Sequence, residues 1–299
     1  MLNEVENRFV RDRGFSINHD TELLAVSLGE PFLQDGILSF YDGRILSVAA
    51  FPFTQGGIIC PEQLRDSVAG FLLSRPAEIV ALWSPNKVDL QFLRRKGFSP
   101  SVRYHGAHIK AELVLDCNRA ILEQKRRHLR PAVREQMRLR ITRQPPVQVG
   151  HIRLIEAFFR ERTMTPYLFE QFICLHVLRV SRDVRWLQAF CGEQLCGLAA
   201  VREPFATTDL ALFLARDKNV KGVGDFLMYH MIATSIDGGK QFLNMGPSPT
   251  EGHYRFKLKW GAAAAVPPYR YIEWSRGTLR RRTYTNWNAR ALQYRDPRR

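Results

Sequence analysis

The sequence predicts a mixed α/β protein with two domains of similar plan, each a mixed, mostly antiparallel sheet flanked by helices. Three observations predict it. The 299 residues suffice for two modest cores. Strand and helix patterns follow each other twice in the same order, with antiparallel hairpins first. A strongly basic stretch separates the two sets.

In the first half, strands are expected near 36–41 and 45–51, joined by the turn Tyr41-Asp42-Gly43. A helix near 61–74, a strand near 78–83, a helix near 87–96 that Gly97 stops, and a strand near 107–115 follow. The second half opens with helices near 151–162 and 166–180. Strands near 184–190 and 195–202 flank the turn Gly192-Glu193, and a strand near 207–215 follows. A loop over 217–221 leads to a helix near 223–236, stopped by Gly238-Gly239. A strand near 241–246, a helical turn near 251–258 and a strand near 269–274 complete the pattern. The expected boundaries are 1–115, a basic helical connector 116–149, 150–275, and a basic aromatic tail 276–299.

A hydrophobic fraction of 45% excludes wholesale disorder. The longest apolar runs are far short of the roughly 18 residues that cross a bilayer, so no integral membrane segment is expected. No secretory signal is visible at the N-terminus, and five cysteines without a C-x-x-C pair read as free thiols. Both readings place the protein in the cytoplasm. The spacing of His and Cys suggests no metal site, and there is no G-x-S-x-G elbow.

Charge is the unusual property. The net charge is +15, and two segments carry 14 of those charges. Residues 119–143 hold nine basic and two acidic residues, and residues 270–299 hold the same numbers. Such local basicity points to a polyanionic partner. Arg126, Arg130, Arg134 and Arg138 recur every four residues, which on a helix makes one stripe, with Arg127 beside it. Leu122, Leu129, Val133 and Met137 fall on a different face, suited to a core, while Pro131 argues against one unbroken helix. Arg280, Arg281 and Arg282 are interleaved with Tyr284, Trp287 and Tyr294, a mixture that suits phosphate and base contacts. These arginines are the candidate nucleic-acid-binding set.

Asn219-Val220-Lys221-Gly222-Val223-Gly224 lies between a strand pattern and a helix pattern. Glycines there let backbone amides approach an anion at the helix start. The loop resembles the Q/R-x-x-G-x-G/A signature of the GCN5-related N-acetyltransferases (GNAT), with Asn219 in place of Gln or Arg. Downstream come Phe242-Leu243-Asn244-Met245-Gly246-Pro247-Ser248-Pro249, Tyr254-Arg255-Phe256-Lys257-Leu258-Lys259-Trp260-Gly261 and Tyr269-Arg270-Tyr271. Together with 222–227, this order resembles the catalytic half of bacterial phosphatidylglycerol lysyltransferases and the FemABX-type aminoacyltransferases. Both families pair two GNAT-like domains and use aminoacyl-tRNA as donor.

The resemblance implies transfer of an aminoacyl group from aminoacyl-tRNA to an amine of a soluble small molecule or peptide, forming an amide and needing no cofactor. Acyl-CoA is the alternative donor, and a non-enzymatic RNA-binding module is a third reading. The GNAT plan implies that the strands near 207–215 and 241–246 splay apart around donor and acceptor. It makes Lys257 the leading candidate for a contact to the tRNA 3′ end or for stabilising developing charge. Asn244 at the strand end and Asp209 nearby are the other catalytic candidates. Arg216, Lys221, Gly222, Val223, Gly224, Arg255 and Lys259 are the candidate donor-binding set. Oligomeric state is not legible.

Overall fold

A computed structural model describes residues 2–16, 19–53, 59–84, 90–104, 112–127, 129, 133, 136–144, 148–161, 183–246, 248, 251–266 and 270–276. Their strands form a six-stranded and a seven-stranded sheet. The chain divides into two units, Met1–Glu112 with Pro247–Glu251 and Ala264–Arg299, and Leu113–Gly246 with Gly252–Ala263.

The first unit begins with α1 (Glu4–Arg13), which Asn3 caps. The Asn3 side chain accepts from the Glu6 backbone N–H at 2.9 Å, and the Glu6 carboxylate accepts from the Asn3 N–H at 2.7 Å. This reciprocal pair satisfies donors that a helix start leaves open. After α2 (Thr21–Leu28) come β1 (Glu30–Gln34), β2 (Ile37–Tyr41) and β3 (Ile45–Ala49). The Asp42 carboxylate accepts from the N–H groups of Arg44 and Ile45, closing the predicted hairpin turn. α3 (Pro61–Ser74) buries Leu64, Val68 and Phe71, one face at helical spacing, against Val48, Val80 and Leu82. It returns the chain to β4 (Ile79–Ser84), which runs parallel to β3. α4 (Phe92–Arg95), β5 (Phe98–Tyr104) and β13 (Arg270–Arg276) complete the unit, and the sheet order is β1-β2-β3-β4-β13-β5.

The second unit contains β6 (Glu112–Asp116), α5 (Arg119–Arg126), β7 (Met137–Thr142), α6 (Val149–Glu161), β8 (Val184–Cys191), β9 (Gln194–Arg202), β10 (Thr208–Arg216), α7 (Val223–Asp237), β11 (Phe242–Asn244), α8 (Glu251–Lys259) and β12 (Ala263–Val266). The sheet order is β12-β6-β11-β10-β9-β8-β7, and the chain leaves the unit within β12. α7 packs on one face through Val223, Leu227 and Met231, and α6 covers the other through Ile155. A Cβ at Gly197 on β9 would lie 2.4 Å from Val223 Cγ1, so the missing side chain is what lets α7 sit this close to the sheet.

Strands are shared between the sheets differently from the expected boundaries. β13, expected as the last strand of the 150–275 domain, pairs with β4 and β5 in the first sheet. Its inward Trp274 packs into the first core. Alternation told which residues face inward but not which sheet receives them. The expected helical connector contains the strand β7, antiparallel to β8. Arg138 therefore does not continue a helical stripe from Arg126, where α5 ends. A spacing of four satisfies both the strand period of two and the helix turn, so the arginines alone did not separate them. The companion apolar set was correctly read as core: Leu129, Val133 and Met137 are buried and Leu122 packs on them. The helix expected near 166–180 and the tail from 277 lie outside the described residues. Among the described residues no helix is long and apolar enough to cross a membrane.

Candidate active site

β10 and β11 are parallel neighbours, but they pair over only three residues, Thr208↔Phe242, Asp209↔Leu243 and Leu210↔Asn244. β10 then continues to Arg216 without a β11 partner. A register shift against β9 between Ala211 and Phe213 bends β10 where this pairing ends. On the other side, the Asn244 carboxamide oxygen accepts from the Gly246 N–H at 2.7 Å, while Met245 N–H and Gly246 O still bond to Leu113 on β6, so past Asn244 the chain is held from the β6 side and not by β10. The parallel pair is thus open at the C-terminal ends of its strands, as the GNAT plan implied for these two segments.

The loop after β10 carries the chain to α7. Asp217 accepts from the Asn219 N–H, and Gly222 takes the N-cap position at φ 86°. A Cβ there would fall 2.5 Å from Val133 Cγ2, so both dihedral and packing require glycine. No side chain caps α7, whose first intrahelical bond runs from Phe226 N to Gly222 O. The N–H groups of Val223, Gly224 and Asp225 therefore lack intrahelical acceptors. Together with the helix dipole of fifteen residues they make a site for an anion. The Arg216 side chain lies beside Gly224, 3.4 Å from where a Cβ would be, and Lys221 is exposed in the loop.

Lys257 and Asn244, distant in sequence, meet on one peptide unit. Lys257 Nζ donates to Gly246 O at 2.9 Å while Asn244 accepts from Gly246 N. Asn244 is buried and Lys257 half-buried, so the amine is held at the turn that ends β11. Arg255 is exposed on α8.

Three expectations are corrected. Asp209 is fully buried, ion-paired with Arg185, accepting from Ser235 Oγ at 2.8 Å and lying 3.7 Å from Lys240 Nζ. Burial pushes its carboxyl above the ordinary range, against the pull of Arg185. Ser235 lies twelve residues beyond Val223 on α7, about 18 Å along the axis, so Asp209 braces the end of the helix away from the anion site. Lys259 is not free for a donor phosphate, because it donates to both Asp225 oxygens at 2.9 and 3.0 Å. Trp260 Nε1 adds a third bond to Asp225 at 3.2 Å, tying α8 to the first turn of α7. Arg138 is engaged by Glu193 and donates to Gly192 O across the β8–β9 turn. Arg126 and Arg127 are exposed; Arg130, Arg134 and Arg280–Arg282 lie outside the described residues. Sequence reasoning missed the brace of Arg185, Ser235 and Lys240, since no spacing links residues on three separate elements.

The first unit repeats the motif without the opening. β3 and β4 pair in parallel over all five residues of β3, and Ala50 N extends the ladder to Trp83 O. Beyond that end sits His19, with no exposed surface. Its Nδ1 accepts from the N–H groups of Phe15 and Ser16, which leaves Nε2 to donate to Phe51 O at 3.3 Å. The imidazole stacks on Phe53 at 4.1 Å, and burial lowers its pKa to about 4. α3 starts with Cys60 and Pro61 and carries Glu62 in its first turn, where an anion would meet a like charge.

A scan against protein-family models and a search of curated proteins found no match. Solved structures do match. The structure of FemX is 10% identical, with 91% of this chain and 96% of that chain covered and a TM-score of 0.60. A conserved protein of unknown function from Bacteroides thetaiotaomicron is 12% identical, covering 89% and 92%, at 0.53. The C-terminal domain of a putative lysylphosphatidylglycerol synthetase from Agrobacterium fabrum is 14% identical, covering 96% and 93%, at 0.48. The match to FemX shows that this chain shares its two-sheet α/β fold.

Proposed function

We propose that the protein is an acyltransferase that moves an aminoacyl group from aminoacyl-tRNA to an amine of a soluble small-molecule or peptide acceptor. The carrying observation is the open end of the β10–β11 pair, set beside an uncapped helix N-terminus and a fixed lysine. The carrier's phosphate would lie on the α7 amides with Arg216 and Lys221. The acceptor nitrogen attacks the ester carbonyl, an amide C–N bond forms, and the bond to the ribose oxygen breaks. The amine loses a proton and the ribose oxygen gains one. Lys257 supplies a cation where oxygen charge develops, and the strand end positions the reactants.

The concentration of basic residues supports tRNA as carrier, because a small thioester needs far fewer cations. The fold shared with FemX agrees with the FemABX resemblance of the 222–261 motifs. Acyl-CoA remains the second reading, favoured by the glycine loop. Intact-mass analysis of products, using a panel of charged tRNAs and acyl-CoAs against candidate amines, tests both. An RNase-sensitive mass gain of one aminoacyl group is expected. A gain only with acyl-CoA assigns the second reading, and no gain with either donor removes both.

A further inference from the structure

At the β7 edge of the second sheet, three strands away from β10, the second unit holds a cavity of about 370 Å³. β7 lines it with Met137 and Leu139, and α7 with Phe226, Tyr229 and His230. Arg126, the last residue of α5, and Leu129 complete the lining among the described residues. Leu129, Met137 and Phe226 are buried, so the floor is apolar. A cavity of about 150 Å³ already holds one benzene ring, so this one has room for a ring with a short chain. Phe226, Tyr229 and His230 share one face of α7 at i, i+3 and i+4. Their rings meet edge to face, with His230 4.6 Å from Phe226 and 5.2 Å from Tyr229. Three rings and the Met137 thioether favour an aromatic body over an alkyl chain.

The polar groups select the rest of the ligand. Among the described lining residues Arg126 is the one cation and none is acidic. No carboxylate among the described residues pairs with its guanidinium. One guanidinium balances one negative charge and meets a carboxylate through two parallel N–H bonds, whereas a phosphate dianion would stay half-compensated. Tyr229 and His230 are half-buried, and neither the hydroxyl nor the imidazole has a hydrogen-bond partner among the described residues. Burial lowers the His230 pKa, so the ring is neutral at pH 7 and offers one donor and one acceptor.

We propose that this cavity binds an arylalkanoate, a monoanion of one aromatic ring and a short chain ending in a carboxylate. The carboxylate lies on Arg126, and the ring lies against Leu129, Met137 and Phe226. A phenolic hydroxyl on that ring hydrogen-bonds with Tyr229 or His230. The ligand is read from the cavity lining alone, and the site stands apart from the open β10–β11 end whatever donor is used there.

Calorimetric titration of the full chain with 4-hydroxyphenylacetate, phenylacetate, hexanoate, acetate and 4-methylphenol tests it. Phenylacetate binds at least about threefold more tightly than hexanoate and about tenfold more tightly than acetate, and 4-hydroxyphenylacetate binds tightest. Arg126→Ala weakens phenylacetate about fivefold and 4-methylphenol less than about twofold. Leu139→Trp, which fills the cavity, weakens both about tenfold or more. Should that variant misfold by circular dichroism, Leu139→Phe replaces it, with about threefold expected. Replacing both Tyr229 and His230 by Phe removes the preference for the hydroxylated ring. Acetate or hexanoate binding as tightly as phenylacetate overturns the proposal, and so does phenylacetate affinity unchanged in Arg126→Ala or in the cavity-filling variant. A hydroxyl preference that survives the double replacement overturns the role of Tyr229 and His230.

Discussion

Each unit places a parallel strand pair around a crossover helix, β3–α3–β4 in one and β10–α7–β11 in the other, yet the two pairs end differently. The first is zipped along the whole of β3, and His19, Phe53 and Phe15 fill the space beyond it. The second stops pairing after Asn244, and its helix begins at an uncapped glycine. Neither crossover helix has a side-chain cap, so what separates the two is the broken strand pairing and the charge of the first turn. In the first unit Ala50 N–H closes the strand end on Trp83 O, His19 reaches Phe51 O beyond it, and Glu62 brings an acid to the helix start. In the second, β10 runs on without a β11 partner, and the acid of the first turn, Asp225, is paired with Lys259.

The largest test of this difference is Lys257→Ala. The value of kcat should fall about 10²–10³-fold, with donor Kd changed far less, if the amine acts on developing charge. Steady-state kinetics alongside equilibrium binding separates the two, and an equal loss in both would make Lys257 a binding residue only.

The filled end of the first unit is sharpened by pH. His19 has a pKa near 4 when folded, below its ordinary value of 6.5. As pH falls the unfolded chain takes up this proton first, so stability is full above pH 6.5 and is lost between 6.5 and 4. The loss amounts to about 3 kcal/mol. Melting temperature against pH should be flatter over that window in His19→Gln; parallel curves would mean that the buried imidazole does not set the dependence.

A smaller effect concerns carrier affinity. Arg127 and Arg140 are exposed. Reversing both to Glu should weaken tRNA binding and reduce the slope of log K against log salt by about one for every phosphate that an arginine no longer neutralises. An unchanged slope would mean that this surface meets no phosphate.

Much of this contrast was legible in the sequence. The glycine loop and the strand ends were readable because each leaves a local pattern of residue types, whereas Lys257 was a candidate through the resemblance and its meeting with Asn244 at Gly246 left no sequence signal. Asp209 was misread because a carboxylate two residues into a strand looks alike whether it faces solvent or a buried arginine, and Arg185 is 24 residues away. The closure of the first unit was not readable either. It depends on His19 reaching Phe51, a contact across 32 residues that no period announces. The exchange of β13 into the first sheet was hidden for the same reason, since inward alternation is common to both sheets.

The most direct measurement compares aminoacyl transfer by the wild type with Gly222→Val and with Cys60→Val, the N-cap positions of the two crossover helices. A β-branched residue at Gly222 meets both the left-handed backbone and Val133, so transfer should drop at least about 100-fold, while Cys60→Val should stay within about threefold of wild type. Transfer that survives Gly222→Val, or that disappears in Cys60→Val with the fold intact, would contradict the assignment of chemistry to the open pair.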